Sequence, residues 1–192
     1  RATGCVRECH GDLHLGNVAW LADTPDTAPR AIPFDGIEFA ANLRWIDVIS
    51  EVAFIVMDLH ARGFANQANR FLNRWLEQNG DLGFGGLALL DFYLVYRAMV
   101  RAKIARIRAS QSDTCATERQ TALSDYAALT ALARRFAEPR RCALILMHGV
   151  SGSGKSVLAA TLCENIDAIR IRSDVERKRL HGLTPMARSH AG

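Results

Sequence analysis

The feature that most constrains this chain is a glycine-rich octapeptide near its carboxyl end. The octapeptide is Gly149-Val150-Ser151-Gly152-Ser153-Gly154-Lys155-Ser156, and it fits the pattern G-x-x-x-x-G-K-[ST] without a mismatch. An apolar run over residues 143–147 precedes it, and a helix-compatible run over residues 157–164 follows it. Glycines let backbone N–H groups and a helix N-terminus surround phosphate oxygens. This order of strand, loop and helix therefore predicts a nucleotide-binding site.

The residues of the octapeptide have different expected tasks. Lys155 is expected to reach the β- and γ-phosphates of ATP, and Ser156 is expected to ligate Mg²⁺. The other expected nucleotide-binding residues act mainly through the backbone of the loop, and they are Gly149, Gly152, Ser153 and Gly154. The alternative is a glycine-rich turn between a strand and a helix that binds no nucleotide.

A second strand is predicted after the helix, over residues 168–171, and Asp174 follows it. From residue 142 to 192 the chain resembles small-molecule P-loop kinases of the gluconate-kinase and zeta-toxin type. In those kinases an Asp after the second strand meets the substrate hydroxyl, so the resemblance implies a catalytic role for Asp174. Capping of the next helix, together with Ser173, is the alternative role of this residue.

A second polar cluster lies near the other end of the chain. It is His10-Gly11-Asp12-Leu13-His14-Leu15-Gly16-Asn17, followed further on by Phe34-Asp35-Gly36. Asp12 and Asn17 are five residues apart, as in the catalytic loop of protein kinases. There the Asp accepts the proton of the attacking hydroxyl, and the Asn and a later Asp hold Mg²⁺. Asp12 is the candidate base, and Asn17 and Asp35 are candidate metal ligands; the alternative is that they only satisfy backbone donors in turns.

These residues, together with Ile32-Pro33-Phe34-Asp35, resemble the signature of the aminoglycoside and choline phosphotransferase family. The resemblance covers roughly residues 1–137. It implies that His10 shapes the catalytic loop and that Asp47 braces it, and Glu38 lies close enough in sequence to contribute to the metal site. A kinase of this fold also needs an N-terminal lobe, for which this sequence has no room, so we expect an internal fragment that is inactive by itself.

Apolar periodicity predicts the remaining elements. Strands are expected at residues 18–21 and 31–34, and helices at 42–62, 65–79, 87–108 and 117–137, before a break at Pro139. The predicted fold class is α/β (α+β). It consists of the helical C-lobe of a protein-kinase-like fold, residues 1–138, and the first β–P-loop–α–β unit of a parallel sheet, residues 142–192.

Composition narrows the classes of partner. The net charge is +4 and the sequence pI is about 9.0, which suits anionic ligands but is too mild for a nucleic-acid-binding protein. Five scattered cysteines without paired spacing favour reduced thiols over a disulfide framework or zinc. The most apolar stretch, residues 52–57, is far shorter than the roughly 20 residues of a membrane helix. We therefore expect a cytoplasmic protein with no membrane or nucleic-acid partner.

The third predicted helix is strongly basic. Arg97, Arg101 and Arg108 fall near one face of it at helical spacing. A polycationic aminoglycoside would favour an acidic pocket instead. Two interpretations stay open: a solvated basic face, or a face that binds an anionic substrate or the partner domain.

Both motifs in this order resemble a bacterial family of bifunctional proteins that fuse an aminoglycoside-phosphotransferase-like domain to an ATP-binding kinase-like domain. The resemblance implies an ATP- and Mg²⁺-dependent phosphotransferase that acts on a small-molecule hydroxyl. One alternative is a nucleotide-sensing protein whose kinase-like half has lost catalysis. Another is a toxin-like kinase that acts through the P-loop half alone.

Overall fold

The computed structural model describes residues 4–22, 28–140 and 142–183. In these residues the strands are β1 (Val6–Glu8), β2 (Val18–Leu21), β3 (Arg30–Pro33) and β4 (Trp45–Asp47). The helices are α1 (Ala41–Arg44), α2 (Val48–Ala61), α3 (Ala65–Asn79), α4 (Asp81–Ser110), α5 (Ala116–Ala137), α6 (Lys155–Asn165) and α7 (Ser173–Leu180). The chain is thus a helix-rich mixture of α and β structure with small sheets.

The chain divides into two compact units. Unit 1 comprises Arg1–Phe64 and Gly86–Arg141, and unit 2 comprises Ala65–Gly85 and Cys142–Gly192. Helix α3, which our sequence interpretation grouped with residues 1–138, therefore lies in the same unit as the glycine-rich octapeptide.

Two antiparallel strand pairs build the β structure of unit 1. Strands β2 and β3 pair with Val18 opposite Pro33, which confirms the predicted hairpin. Strands β1 and β4 pair with Val6 opposite Asp47, and this second pair was not predicted. The first apolar helix, predicted over residues 42–62, is therefore broken. Short helix α1 ends at β4, and α2 begins only after Asp47.

Helix α2 forms the centre of the core of unit 1. Ile49, Ala53, Phe54 and Met57 are completely buried. Helix α4 adds a stripe of buried residues at a spacing of about one turn, and this stripe includes Leu90, Leu94, Ala98 and Ala102. The prediction that the first long helix is largely buried is confirmed.

One helix in the described part of the chain, Gly83–Ser110, is long and apolar enough to cross a membrane by length and composition only. The prediction of no membrane helix considered only residues 52–57, which lie in α2. Of its most apolar window 33% is buried, including part of the stripe of α4 and Arg97, and core helices pass the same test.

Unit 2 contains α3, α6, α7 and the two segments that were predicted to be strands. Those predictions are wrong for the described residues, because neither 143–147 nor 168–171 belongs to a β-ladder. A strand of a parallel sheet forms only beside a neighbour that satisfies its N–H and C=O groups. Leu144 and Leu146 accordingly remain 85% and 80% exposed.

Candidate active site and phosphate-binding loop

The Asp12 carboxylate of unit 1 is held by two neighbours from its own loop. Asn17 donates from Nδ2 to Oδ2 of Asp12 and to its main-chain oxygen, both at 3.1 Å. His14 Nε2 lies 3.4 Å from the same Oδ2. Because only the amide nitrogen can donate to a carboxylate, the amide oxygen of Asn17 is left to accept or to bind a cation. Among the described residues nothing bonds Oδ1 of Asp12.

The contacts of His14 define its tautomer. Its Nδ1 accepts a hydrogen bond from the backbone N–H of Gly16 at 3.0 Å, so the proton of the neutral ring sits on Nε2, facing Asp12. Burial lowers the pKa of His14, and the nearby Arg101 guanidinium lowers it further. A neutral His14 that donates to the Asp12 carboxylate is the state that this environment favours.

His10 joins the loop to the segment that carries Asp35. Its Nε2 bonds the carbonyl oxygen of Phe34 at 2.8 Å, and its own carbonyl accepts from Ile37 N at 2.9 Å. Phe34 N in turn donates to the carbonyl of Asn17 at 2.9 Å. These bonds bring both candidate metal-binding segments together. The expected role of His10 in shaping the catalytic loop stays a prediction.

Asp35 itself lies in a strained conformation. Its φ of 59° makes it the one non-glycine residue with a positive φ in the described chain. Asp tolerates this region better than most residues, yet the conformation is still costly. Its exposed carboxylate follows the hairpin directly, whereas Glu38, also exposed, makes no hydrogen bond to the loop among the described residues.

The residue that braces the loop from the core is Glu51, not Asp47 as we expected. The Glu51 carboxylate is buried and accepts from His10 N at 2.9 Å and from Gly11 N at 3.2 Å. Asp47 instead accepts from Ile49 N and caps α2. Burial raises the pKa of Glu51, and hydrogen bonds from the loop backbone act in the opposite direction.

A second buried carboxylate holds the far end of the loop. Asp58 accepts from Leu15 N at 2.9 Å and pairs with Arg62 at 3.0 Å. The sequence contained a signal for both braces, because Glu51 and Asp58 flank the most apolar stretch of the chain. They are seven residues apart, which places them on one face of a helix. A carboxylate within a buried helix requires a partner.

The basic face of α4 is partly buried and contacts the loop that carries Asp12. Arg97 is buried, donates to the carbonyls of Gly11 and Ser50, and lies 4.7 Å from the Phe54 ring centre. Burial lowers the pKa of Arg97, and the Glu51 carboxylate opposes that shift. Arg97 therefore acts as a third brace of the loop.

Beside this loop α2, α4 and α5 enclose a cleft of about 530 Å³, a volume typical of small-molecule sites. Arg101 lines the cleft and lies 3.5 Å from His14 Nε2. The cleft carboxylates of Asp58 and Glu118 are already bonded, the latter to Arg108 at 3.9 Å. Within the described chain, Arg101 has no carboxylate within salt-bridge distance. The cleft as a whole holds equal numbers of arginines and carboxylates, so its lining has no net formal charge; these residues are Arg62, Arg101, Arg108, Asp58, Glu118 and Asp125.

In unit 2 the glycine-rich octapeptide forms a compact loop that leads into α6. Gly149, Gly152 and Gly154 all have positive φ, and α6 begins at Lys155. Lys155 Nζ folds back to the carbonyl of Val150 and to Ser153 Oγ. The first turn of α6 therefore presents free backbone N–H groups beside a lysine, which is the arrangement that binds phosphate at a helix N-terminus.

Asp174 lies in the first turn of α7 and pairs with Arg172 at 2.8 Å. The capping role that we considered for it is not observed, because the N-cap residue is Arg172 and no side chain caps the helix. The hydrogen bonds from Arg172 lower the pKa of Asp174, so its carboxylate is ionised at neutral pH.

The described residues contain no group of three or more His, Cys, Asp or Glu side chains that could hold a metal ion. Mg²⁺ commonly takes only one or two protein oxygens and completes its shell with water and phosphate. Asn17 and Asp35 in unit 1, and Ser156 in unit 2, offer oxygens of this kind.

Known proteins match this chain over part of its length or over part of their own. Residues 144–191 match the family described as AAA domain. Uncharacterized proteins from two strains of Mycobacterium tuberculosis and one of Mycobacterium bovis are 33% identical to the chain over 177 residues. The match covers 92% of this chain and 33% of each relative, so the chain spans about a third of their length. No solved structure matches. Residues 144–191 are thus similar to P-loop nucleotide-binding domains.

Proposed function

We propose that the chain belongs to an ATP-dependent phosphotransferase that acts on a small-molecule hydroxyl and has two phosphate-handling sites. In this proposal residues 1–138 act as the C-lobe of an aminoglycoside-phosphotransferase-like kinase. The P-loop of unit 2 binds ATP with Mg²⁺. The observation that carries the proposal is the bonding of Asp12, in which Asn17 and His14 fix one carboxylate oxygen and no described residue bonds the other.

The geometry of Asp12 suits a general base. Oδ2 receives two donors, so Oδ1 is the oxygen that would accept the proton of the acceptor hydroxyl. His14 and Asn17 fix the carboxylate orientation, and the fixed orientation lowers the entropic cost of reaching the reactive geometry. The proton would move to Asp12 as the hydroxyl oxygen attacks the terminal phosphorus of ATP. The bond from that phosphorus to the β–γ bridging oxygen would break, and ADP would leave.

Mg²⁺ would neutralise charge on the phosphates during transfer. In unit 1 Asn17 would bind it through its amide oxygen and Asp35 through its carboxylate. In unit 2 Ser156 would supply a hydroxyl ligand, and Lys155 would leave the carbonyl of Val150 to meet the phosphates.

The acceptor would enter the cleft beside the loop. Arg101 lines the cleft beside His14 and makes no ion pair among the described residues, so we place a carboxylate or phosphate group of the acceptor against it. This proposal assigns the cytoplasm as the place of action, with neither nucleic acid nor membrane as a partner.

A second candidate function rests on the P-loop half alone. The family match covers that half, and Asp174 lies close to the octapeptide in sequence with an ionised carboxylate. In this case unit 2 would transfer phosphate to a hydroxyl held by Asp174, as the toxin-like kinases do. A nucleotide-sensing protein with an inactive kinase-like half is the remaining alternative.

The test is Mg²⁺-dependent ATP turnover by the full-length protein with a panel of neutral, anionic and cationic hydroxylated compounds. Asp12→Asn should lower acceptor-dependent turnover by roughly 10²–10⁴-fold, since it removes the base. The matched control is Asp113→Asn at an exposed position. Activity that survives Asp12→Asn but is lost in Lys155→Ala would move the chemistry to unit 2. Tight ATP binding without turnover of any acceptor would favour nucleotide sensing.

A further inference from the structure

Helix α3 lies outside the residues that match a nucleotide-binding family, yet its polar side chains hold the phosphate-binding half of unit 2. Asn69 donates to the carbonyls of Glu164 and Ile166, at 3.5 and 3.2 Å. Asn73 donates to the carbonyl of Ala168 and accepts from Arg170 N, at 2.9 and 2.7 Å. One side-chain amide thus supplies both the donor and the acceptor that a peptide group of a neighbouring strand would supply.

Glu77 is the charged centre of the same contact. Its two oxygens take different partners: Oε2 pairs with Arg170 at 3.1 Å and Oε1 with Arg172 at 2.8 Å. Its side chain is only 12% exposed, so solvent screens these pairs weakly. The backbone carbonyl of Glu77 also accepts from Arg179 of α7 at 2.8 Å.

Each of the two arginines also donates a hydrogen bond to a residue of the candidate site. Arg170 donates from Nη1 to the carbonyl of Ser156, in the first turn of α6, at 3.4 Å. Arg172 donates to both oxygens of Asp174, at 3.3 and 2.8 Å. A single carboxylate on α3 is therefore linked through one arginine to the phosphate-binding turn and through the other to the candidate acceptor carboxylate.

We propose that Glu77 is a positioning residue for the nucleotide site of unit 2, and that α3 is a part of that site which the family match at 144–191 leaves out. The proposal rests on the proposed function, in that Lys155, Ser156 and Asp174 are taken as the working groups. Glu77 fixes the two guanidinium groups, and these fix the start of α6 and the start of α7. Loss of its charge leaves Arg170 and Arg172 to repel each other and to release both helix starts.

The experiment compares Glu77→Gln with Glu164→Gln in the full chain. Glu164 is in the same unit and pairs with Arg70 at 3.8 Å, but it has no side-chain contact with Arg170 or Arg172 in the described structure. Without nucleotide, Glu77→Gln should move the amide NMR resonances of both Ser156 and Asp174, while Glu164→Gln should leave both in place. Titration with Mg²⁺ and ATP should then show binding weakened roughly tenfold for Glu77→Gln alone, as for other outer-shell partners of a site.

A purely structural role would lower the urea midpoint of Glu77→Gln but leave the dissociation constant of the folded protein equal to that of the wild type. That result would overturn the proposal. Unmoved resonances of Ser156 and Asp174 would overturn it as well. If the wild-type chain fails to bind Mg²⁺ and ATP, the proposed nucleotide function of unit 2 is wrong, and the resonances of the nucleotide-free protein still decide whether Glu77 positions the two helix starts.

Discussion

Residues 10–17, here the Asp12 loop, and residues 149–156, here the Lys155 loop, are held in their conformations by different kinds of contact. The Asp12 loop is fixed by side chains far along the chain, namely Glu51, Asp58 and Arg97. The Lys155 loop is shaped mainly by its own glycines, and the residues before it are exposed. A short motif can therefore specify its own conformation when glycines supply the backbone freedom, whereas a loop of ordinary residues needs partners from the core.

The difference also predicts which substitutions should cost the most stability. Buried charges and backbone amides of the Asp12 loop satisfy one another, so the loss of one partner leaves another without compensation. Residues 149–154 of the Lys155 loop face solvent, so water can replace a partner lost there, ahead of the α6 start that Arg170 contacts. Three experiments test this contrast, beginning with the substitution that should cost the most stability.

Glu51→Ala should lower the free energy of unfolding by roughly 3–5 kcal/mol, because it leaves two loop amides buried without their acceptor and removes the negative charge that compensates the buried Arg97. Urea denaturation of the full chain measures the loss. The control is Glu8→Ala, which removes a partly exposed ion pair to Arg44 and should cost about 1 kcal/mol or less. Equal losses in the two variants would contradict the idea that the Asp12 loop is braced by the core.

Gly11→Ala and Gly152→Ala compare the two loops directly. Both glycines have positive φ, so either alanine costs about 1–2 kcal/mol of backbone strain. At Gly11 the added Cβ would also lie 2.7 Å from the carbonyl oxygen of Leu43, whereas at Gly152 it would meet nothing within 4 Å. We expect a total loss of roughly 3 kcal/mol or more for Gly11→Ala, since overpacking adds to the strain. A loss for Gly152→Ala as large as that for Gly11→Ala, measured by thermal unfolding, would remove the distinction.

Thiol labelling compares the segments before the two loops without a substitution, so no contact is altered before the measurement. Cys9 precedes the Asp12 loop, and burial raises its pKa to about 11, so little thiolate forms at neutral pH. Cys142, ahead of the Lys155 loop, is exposed. Maleimide labelling followed by peptide mass spectrometry should modify Cys142 well before Cys9. Comparable rates for the two cysteines would show that the segment before the Asp12 loop opens freely.

The parts that the sequence predicted well are those with local signals. Helix α3 has the predicted bounds because its apolar residues repeat at helical spacing, and the β2–β3 hairpin has the expected strands on either side of a turn-rich segment. The turn itself, residues 23–27, lies outside the described residues. The phosphate-binding loop also needed only local information.

The failures have a tertiary cause. Residues 45–47 have a helical apolar pattern but pair with β1, and that pairing involves residues far away in the sequence. Residues 143–147 have the composition of a buried strand but lack a neighbour in a ladder. The side of α4 with Arg97 was interpreted by charge alone, and only the contacts show that the guanidinium packs on Phe54. The sequence marks Glu51 as a carboxylate that requires a buried partner. To identify the loop amides as that partner, one must know which helix faces which loop.

The order of segments along the chain has a consequence for how this protein can be divided. Unit 2 takes Ala65–Gly85 from the middle of the residues that build unit 1, and it takes the rest from beyond residue 141. One cut after residue 141 therefore cannot release either unit whole, because the helix with Asn73 and Glu77 stays on the other fragment. An intact unit 2 requires a redesigned connection from α3 to residue 142, or the two fragments supplied together. A gene fusion or a proteolytic cut at residue 141 would meet the same restriction.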